Sequence, residues 1–163
     1  VLFVKPYLWQ NSIEFMSTKK IIITNALLIS VLIGGFFFLS KFLGLAGNGF
    51  LRFFNLIFVI IGIHQAIKTN IYTNKVTTFT TNLGVGIQTS ALAVALSIIG
   101  VVVYLEVINP DFMQVIQNSF LIAGDLSLAE IILTLVLEGF ASSVIGSFII
   151  MQFYKNHDKK DIS

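Results

Sequence analysis

The sequence predicts an all-α, polytopic membrane protein: a four-transmembrane-helix bundle with a short interfacial amphipathic helix between spans three and four. Three observations carry this reading. Of 163 residues, 56% are hydrophobic and only 11% are charged, against about 25% charged in an ordinary soluble domain. So small a chain has a large surface to solvate and too few charges to cover it, while disorder would demand a polar, charged composition. The apolar residues also gather into four runs near the roughly 20 residues that cross about 30 Å of hydrocarbon as a helix. Finally, these runs are apolar on all faces, whereas the strands of a membrane barrel alternate with period two.

The first span covers 21–43 and holds no charge until Lys41, which can snorkel outward at the helix end. Gly44, Gly47 and Gly49 follow it, a short turn that should fold spans one and two into an antiparallel hairpin. The second span, 50–67, is short, and Arg52 shortens its neutral part further; local thinning or snorkelling accommodates that mismatch. Residues 68–83 read as a polar loop of Thr and Asn, and 84–107 as the third span. Asn109-Pro110-Asp111 ends that helix and starts another element, with Asn109 as the cap and Asp111 at the positive helix end. Beyond it, Phe112, Met113, Val115, Ile116 and Phe120 fall on one side, and Asp111, Gln114, Gln117 and Asn118 on the other. Such an amphipathic helix lies on the bilayer surface or caps the bundle, and both readings stand.

Ser127-Leu128-Ala129-Glu130 matches a capping box and opens the fourth span, 128–154. A charged tail, 155–163, follows the membrane domain of 21–154. Residues 1–20 form an N-terminal segment. Within it, Met16-Ser17-Thr18-Lys19-Lys20 reads as a translation start, which would make 1–15 non-native. Lys5, Pro6, Tyr7 and Trp9 equally suit an interfacial segment. No small-residue cleavage site follows a short apolar core, so no cleavable signal is expected.

Four spans put both termini on one side. That side carries Lys5, Lys19, Lys20, Lys68, Lys75, Lys155, Lys159 and Lys160; the other has Lys41 and Arg52. Glu106, Asp111, Asp125 and Glu130 lie in or beside the loop between spans three and four, which has no basic residue. The positive-inside rule therefore expects both termini in the cytoplasm.

Several function classes fall away. A net charge of +2 gives no nucleic-acid footprint, which needs a clustered basic face. The absence of Cys removes disulfides, thiolate metal sites and Cys nucleophiles together. His64, toward the cytoplasmic end of span two, and His157, in the tail, are too few for a structural zinc site. Gly84-Val85-Gly86 is no dinucleotide fingerprint, lacking a preceding strand and the third Gly. With no Ser-His-Asp set and no paired carboxylates, neither an enzyme nor a cofactor is expected. The expected partners are the lipid bilayer and either a second copy of the chain or another membrane protein.

Small residues recur in span three at Gly86, Ser90, Ala93, Ser97 and Gly100, and in span four at Gly139, Ser142, Ser143 and Gly146. Spacings of three and four keep them on one stripe, and in lipid such stripes allow close backbone approach. Spans three and four are expected to pack through them; a homodimer face is the other use of the same stripe. Asn55 and Gln88 should form interhelical hydrogen bonds.

Glu138 stands out. Ten positions into span four, it lies about 15 Å deep, near mid-membrane. A carboxylate there costs on the order of 2.5–3.5 kcal/mol on insertion scales, so it should face the bundle, be protonated or line water. Ser30 and Ser97 lie at similar depth and could hydrogen-bond it, and Ser142 is one turn further along. One reading makes Glu138 a proton or cation site; the other makes it a protonated structural carboxyl. No second acid lies at that depth, which favours the structural role unless an oligomer gathers several copies.

Three stretches resemble a family. They are Gly62-Ile63-His64-Gln65-Ala66-Ile67-Lys68, Phe79-Thr80-Thr81-Asn82-Leu83-Gly84-Val85-Gly86 and Ile108-Asn109-Pro110-Asp111-Phe112. Together they are similar to the DUF4199 family of uncharacterised four-span bacterial membrane proteins, over most of the chain from Met16 onward. Residues 1–15 and the very polar Thr-rich loop depart from that pattern. The resemblance implies a bacterial inner-membrane protein and brings no activity or site residues. The expected function is a non-enzymatic scaffold or accessory subunit acting through helix contacts; the alternative is a small oligomeric transporter or channel using Glu138.

Overall fold

A hydrocarbon interior offers no partner to backbone N–H and C=O groups, so an apolar chain crosses it as a helix that satisfies them internally. The computed structural model describes residues 16–119 and 126–155. Its long helices are α1 (Thr18–Phe42), α2 (Arg52–Tyr72), α3 (Phe79–Val103) and α5 (Leu128–Phe153), with a short α4 (Phe112–Ser119) before the last. All four long helices, with the turns that extend α2 and α3, are long and apolar enough to span a membrane. No strand occurs among the described residues. The chain is an all-α, multi-pass membrane protein. The expectations for residues 1–15, for Phe120 and Asp125, and for the tail from 156 on lie outside the described residues.

Helix α3 is the hub, packing against α1, α2 and α5. Its small residues explain why three neighbours fit. Ser90 and Ala93 are fully buried, and a Cβ on Gly86 would stand 2.9 Å from Ser147 Oγ of α5. Ser143 of α5 is likewise buried, and a Cβ on Gly139 would overlap Val94 of α3. The two stripes are not wholly devoted to each other. Gly146 of α5 faces Ile63 of α2, and the Ala93 carbonyl accepts a hydrogen bond from Ser30 of α1 at 3.3 Å. Gly100 meets nothing within 4 Å.

The expected polar loop at 68–83 is largely helix. Helix α2 runs on to Tyr72 and α3 begins at Phe79, leaving six residues between them. The reason lies in the asparagines, which bind helices rather than water. Asn70 and Asn82 are both fully buried. Asn70 Nδ2 donates to Asn82 Oδ1 at 2.8 Å, and Asn82 Nδ2 donates to the Val76 carbonyl at 2.8 Å. Asn74 Nδ2 donates to Asn70 Oδ1 at 3.1 Å and to the Met16 carbonyl at 2.7 Å, while Met16 N–H donates to Asn74 Oδ1 at 3.1 Å. This network fastens the start of α1 to the α2–α3 turn. Lys75 in the turn takes the left-handed conformation, φ 55°.

At the opposite end, α3 widens into one π turn, Tyr104–Ile108, closed by Asn109 N–H donating to the Tyr104 carbonyl at 2.8 Å. Such turns re-aim side chains; here Tyr104 and Leu105 point inward and are buried. They form a cluster with Phe112 of α4, flanked by Phe37, Val115 and Leu128. The apolar face of α4 is thus turned into the bundle end. Asn109 meets α4 through its backbone, whose carbonyl accepts from Phe112 N–H at 3.2 Å, rather than through the expected side-chain cap, and its amide Nδ2 donates to the Tyr104 hydroxyl at 3.4 Å. The capping box at α5 is formed, with Glu130 N–H reaching Ser127 Oγ and Ser127 N–H donating to Glu130 Oε2 at 2.7 Å.

Candidate functional site

Glu138 is exposed on the outside of the bundle, not turned into it. The cause is helical phase. Its neighbour Gly139, a step of about 100° around the helix, is the residue seated on Val94. Ser30 and Ser97 do not serve Glu138 as the sequence suggested. The Ser30 hydroxyl is engaged by the carbonyls of Ala26 at 2.9 Å and Ala93 at 3.3 Å, and Ser97 Oγ has no hydrogen-bond partner among the described residues. Ser142, half-buried, lies one turn from Glu138 on the same face. That face is more polar than the rest of α5. Glu130, Thr134, Glu138 and Ser142 follow at intervals of four, each exposed or half-buried, forming a line from the helix start to mid-membrane.

Ser30 and Ser97 instead line a cavity of about 280 Å³ between α1, α2 and α3, with α4 over it. Ser30, Asn55, Ser97 and Tyr104 supply its polar surface. Phe37, Phe38, Phe112 and Leu135 contribute apolar walls. Asn55 Oδ1 and Ser97 Oγ are shielded from solvent and lack a hydrogen-bond partner among the described residues. The interhelical bond expected of Asn55 is therefore not made through its oxygen. Gly34 and Gly100 make the space, since a Cβ on either would meet nothing within 4 Å. Phe37, Tyr104 and Phe112 stack edge to face around the α4 end, with centroids 5.1–5.5 Å apart. Lys41 Nζ donates to the Tyr104 hydroxyl and stands 5.0 Å from the centre of that ring.

A second, shallow pocket lies at the other end, between His64, Lys68 and Tyr72. His64 is exposed and stacks on Tyr154, with Nε2 2.8 Å from the Tyr154 hydroxyl. Tyr154 lies just beyond α5. Burial holds its phenol above the usual range, and the nearby Tyr72 adds to that shift. Gln88 is exposed on α3. Among the described residues no three His, Cys, Asp or Glu side chains gather as a metal site would require.

Sequence reasoning found Ser30 and Ser97 but joined them to the wrong group, and it missed the cavity. The only linear signals were Gly34-Gly35 within α1 and Gly100 in α3, residues that leave space when they face each other across a seam. No family model, curated protein or solved structure matches the chain.

Proposed function

We propose that this chain is a non-enzymatic integral protein of the bacterial inner membrane that acts as a scaffold or accessory subunit, docking another transmembrane helix on the outer face of α5. The observation behind this reading is the polar line Glu130–Thr134–Glu138–Ser142 on the outside of the bundle. Polar side chains at membrane depth are costly, and helix interfaces are where they are used. Gly86, Gly139 and Gly146 of the small-residue seams are occupied by contacts within the chain. Both termini lie in the cytoplasm, in keeping with the basic residues at the end of the bundle that holds Lys19, Lys20, Lys68, Lys75 and Lys155. The inner-membrane assignment rests on the DUF4199 resemblance.

The test uses the absence of native Cys. A single Cys at the exposed Ala141 should cross-link in native membranes to one species of discrete mass, with Thr134→Leu/Glu138→Leu/Ser142→Leu abolishing the product. Reconstituted vesicles should show no proton or cation flux. The competing reading, an oligomeric transporter around Glu138, draws on the same carboxylate. Flux abolished by Glu138→Gln would establish it and overturn the scaffold.

A further inference from the structure

We propose that the cavity beneath α4 is a binding site for a small, uncharged, lipophilic hydroxyl compound of the phenol or alcohol class. The lining of the cavity leads there. Its walls are mainly aromatic and aliphatic with a few convergent polar groups, which is the make-up of ligand pockets between bundle helices. No charged side chain lines it, so a charged ligand would lose its hydration without gaining a counter-charge. Lys41, the nearest cation, is engaged by the Tyr104 hydroxyl and lies over the Tyr104 ring.

The polar groups then specify the ligand's chemistry. Asn55 Oδ1 can only accept a hydrogen bond, and Ser97 Oγ can donate or accept; neither has a partner among the described residues. A hydroxyl both donates and accepts, so it can serve either atom. A ketone or ether could not satisfy Asn55 Oδ1. The rings of Phe37, Tyr104 and Phe112 present edges and faces to the remainder of the ligand, which favours an aromatic body. Water alone is a poor occupant. Each water would seek two to four partners, and the walls are mostly hydrocarbon.

Gly34 and Gly100 line the cavity, and a Cβ at either meets nothing within 4 Å, so larger side chains at these positions are the means of filling it. The experiment compares para-hexylphenol with para-hexyltoluene, in which a methyl replaces the hydroxyl. Fluorine-labelled versions are titrated by NMR against lipid nanodiscs with and without the full chain. The phenol should bind saturably, and about tenfold more tightly than the toluene, the worth of one well-made hydrogen bond. Ser97→Ala and Asn55→Leu together should reduce that preference to less than about twofold while the toluene still binds. Gly34→Leu/Gly100→Leu should abolish saturable binding of both probes and leave the thermal unfolding temperature at or above that of the wild type. If the filled variant fails to fold, Ser97→Leu, which fills from the same wall, takes its place. Equal binding of the two probes, mere partitioning into the lipid, or binding that survives filling would each overturn the proposal.

Discussion

The two ends of this bundle are built differently. At the end with Met16 and Asn82, paired amides join the start of α1 to the α2–α3 turn, although Asn25 Oδ1 and Ser147 Oγ toward that half are shielded and lack partners among the described residues. At the end with Tyr104, aromatic rings surround a cavity in which Asn55 Oδ1 and Ser97 Oγ lack partners among the described residues. In lipid the hydrophobic effect does not drive helices together. Hydrogen bonds and dispersion must do so, and the asparagine network supplies the former at the first end. The second gives up packing for space. The asparagine network is therefore expected to hold the helices more firmly than the cavity end does.

The largest contrast is topological, and it is all or none. A Cys at Thr77, beside the asparagine network, should resist an impermeant thiol reagent applied to intact cells, whereas a Cys at the exposed Gln114 of α4 should react. Labelling of Thr77 would reverse the orientation drawn from the lysines.

Next comes the network itself. Asn82→Ala removes the acceptor for Asn70 Nδ2 and the donor to the Val76 carbonyl. Orphaning buried groups costs about 1–3 kcal/mol each, so the variant should lose about 2–4 kcal/mol in a steric-trapping or mixed-micelle unfolding measurement. A loss under about 1 kcal/mol would mean that lipid or water replaces the amides and that the first end is not the stable one.

The glycines allow a matched comparison. Gly139→Ala places a methyl on Val94, whose branched Cβ, 3.2 Å from the added atom, cannot swing away. Overpacking of this kind costs about 1–3 kcal/mol. Gly100→Ala meets nothing within 4 Å, so helix propensity alone should decide, leaving the variant neutral or up to about 1 kcal/mol more stable. Equal effects at the two sites would show that the cavity collapses in the membrane.

How far the sequence revealed this arrangement depended on whether a signal was carried along one helix or between two. The four spans were legible because hydropathy is a property of a single run, and α5 opens at its capping box because Ser127 and Glu130 are three residues apart. Thr and Asn at 68–83 misled because composition marks them as loop, while their partners are fixed only once α2 and α3 lie side by side. Glu138 was legible as an anomaly but not in its facing: its identity sets the cost of placing it in lipid, and helical phase against α3 sets which side it takes. The cavity was hidden for the same reason. Gly34 and Gly100 are 66 positions apart, and each is an ordinary membrane glycine until both line one space.

The smallest effect belongs to Tyr154, at the stable end but outside the asparagine network. Its hydroxyl lies 2.8 Å from His64 Nε2 on an exposed face, so Tyr154→Phe should cost only about 0.5–1.5 kcal/mol near neutral pH. The pH dependence tests the burial of this hydroxyl. Burial raises the phenol's pKa above its unfolded value, with Tyr72 adding to the shift. The folded state therefore holds the proton more tightly than the unfolded chain. This contribution is complete below the unfolded value of about 10, and it is lost as pH rises through the higher folded value. Wild type should accordingly lose stability faster than Tyr154→Phe above pH of about 10, so that their curves converge. Parallel curves would mean that the hydroxyl is as well solvated in the folded as in the unfolded chain, and would remove its burial from the account of this end.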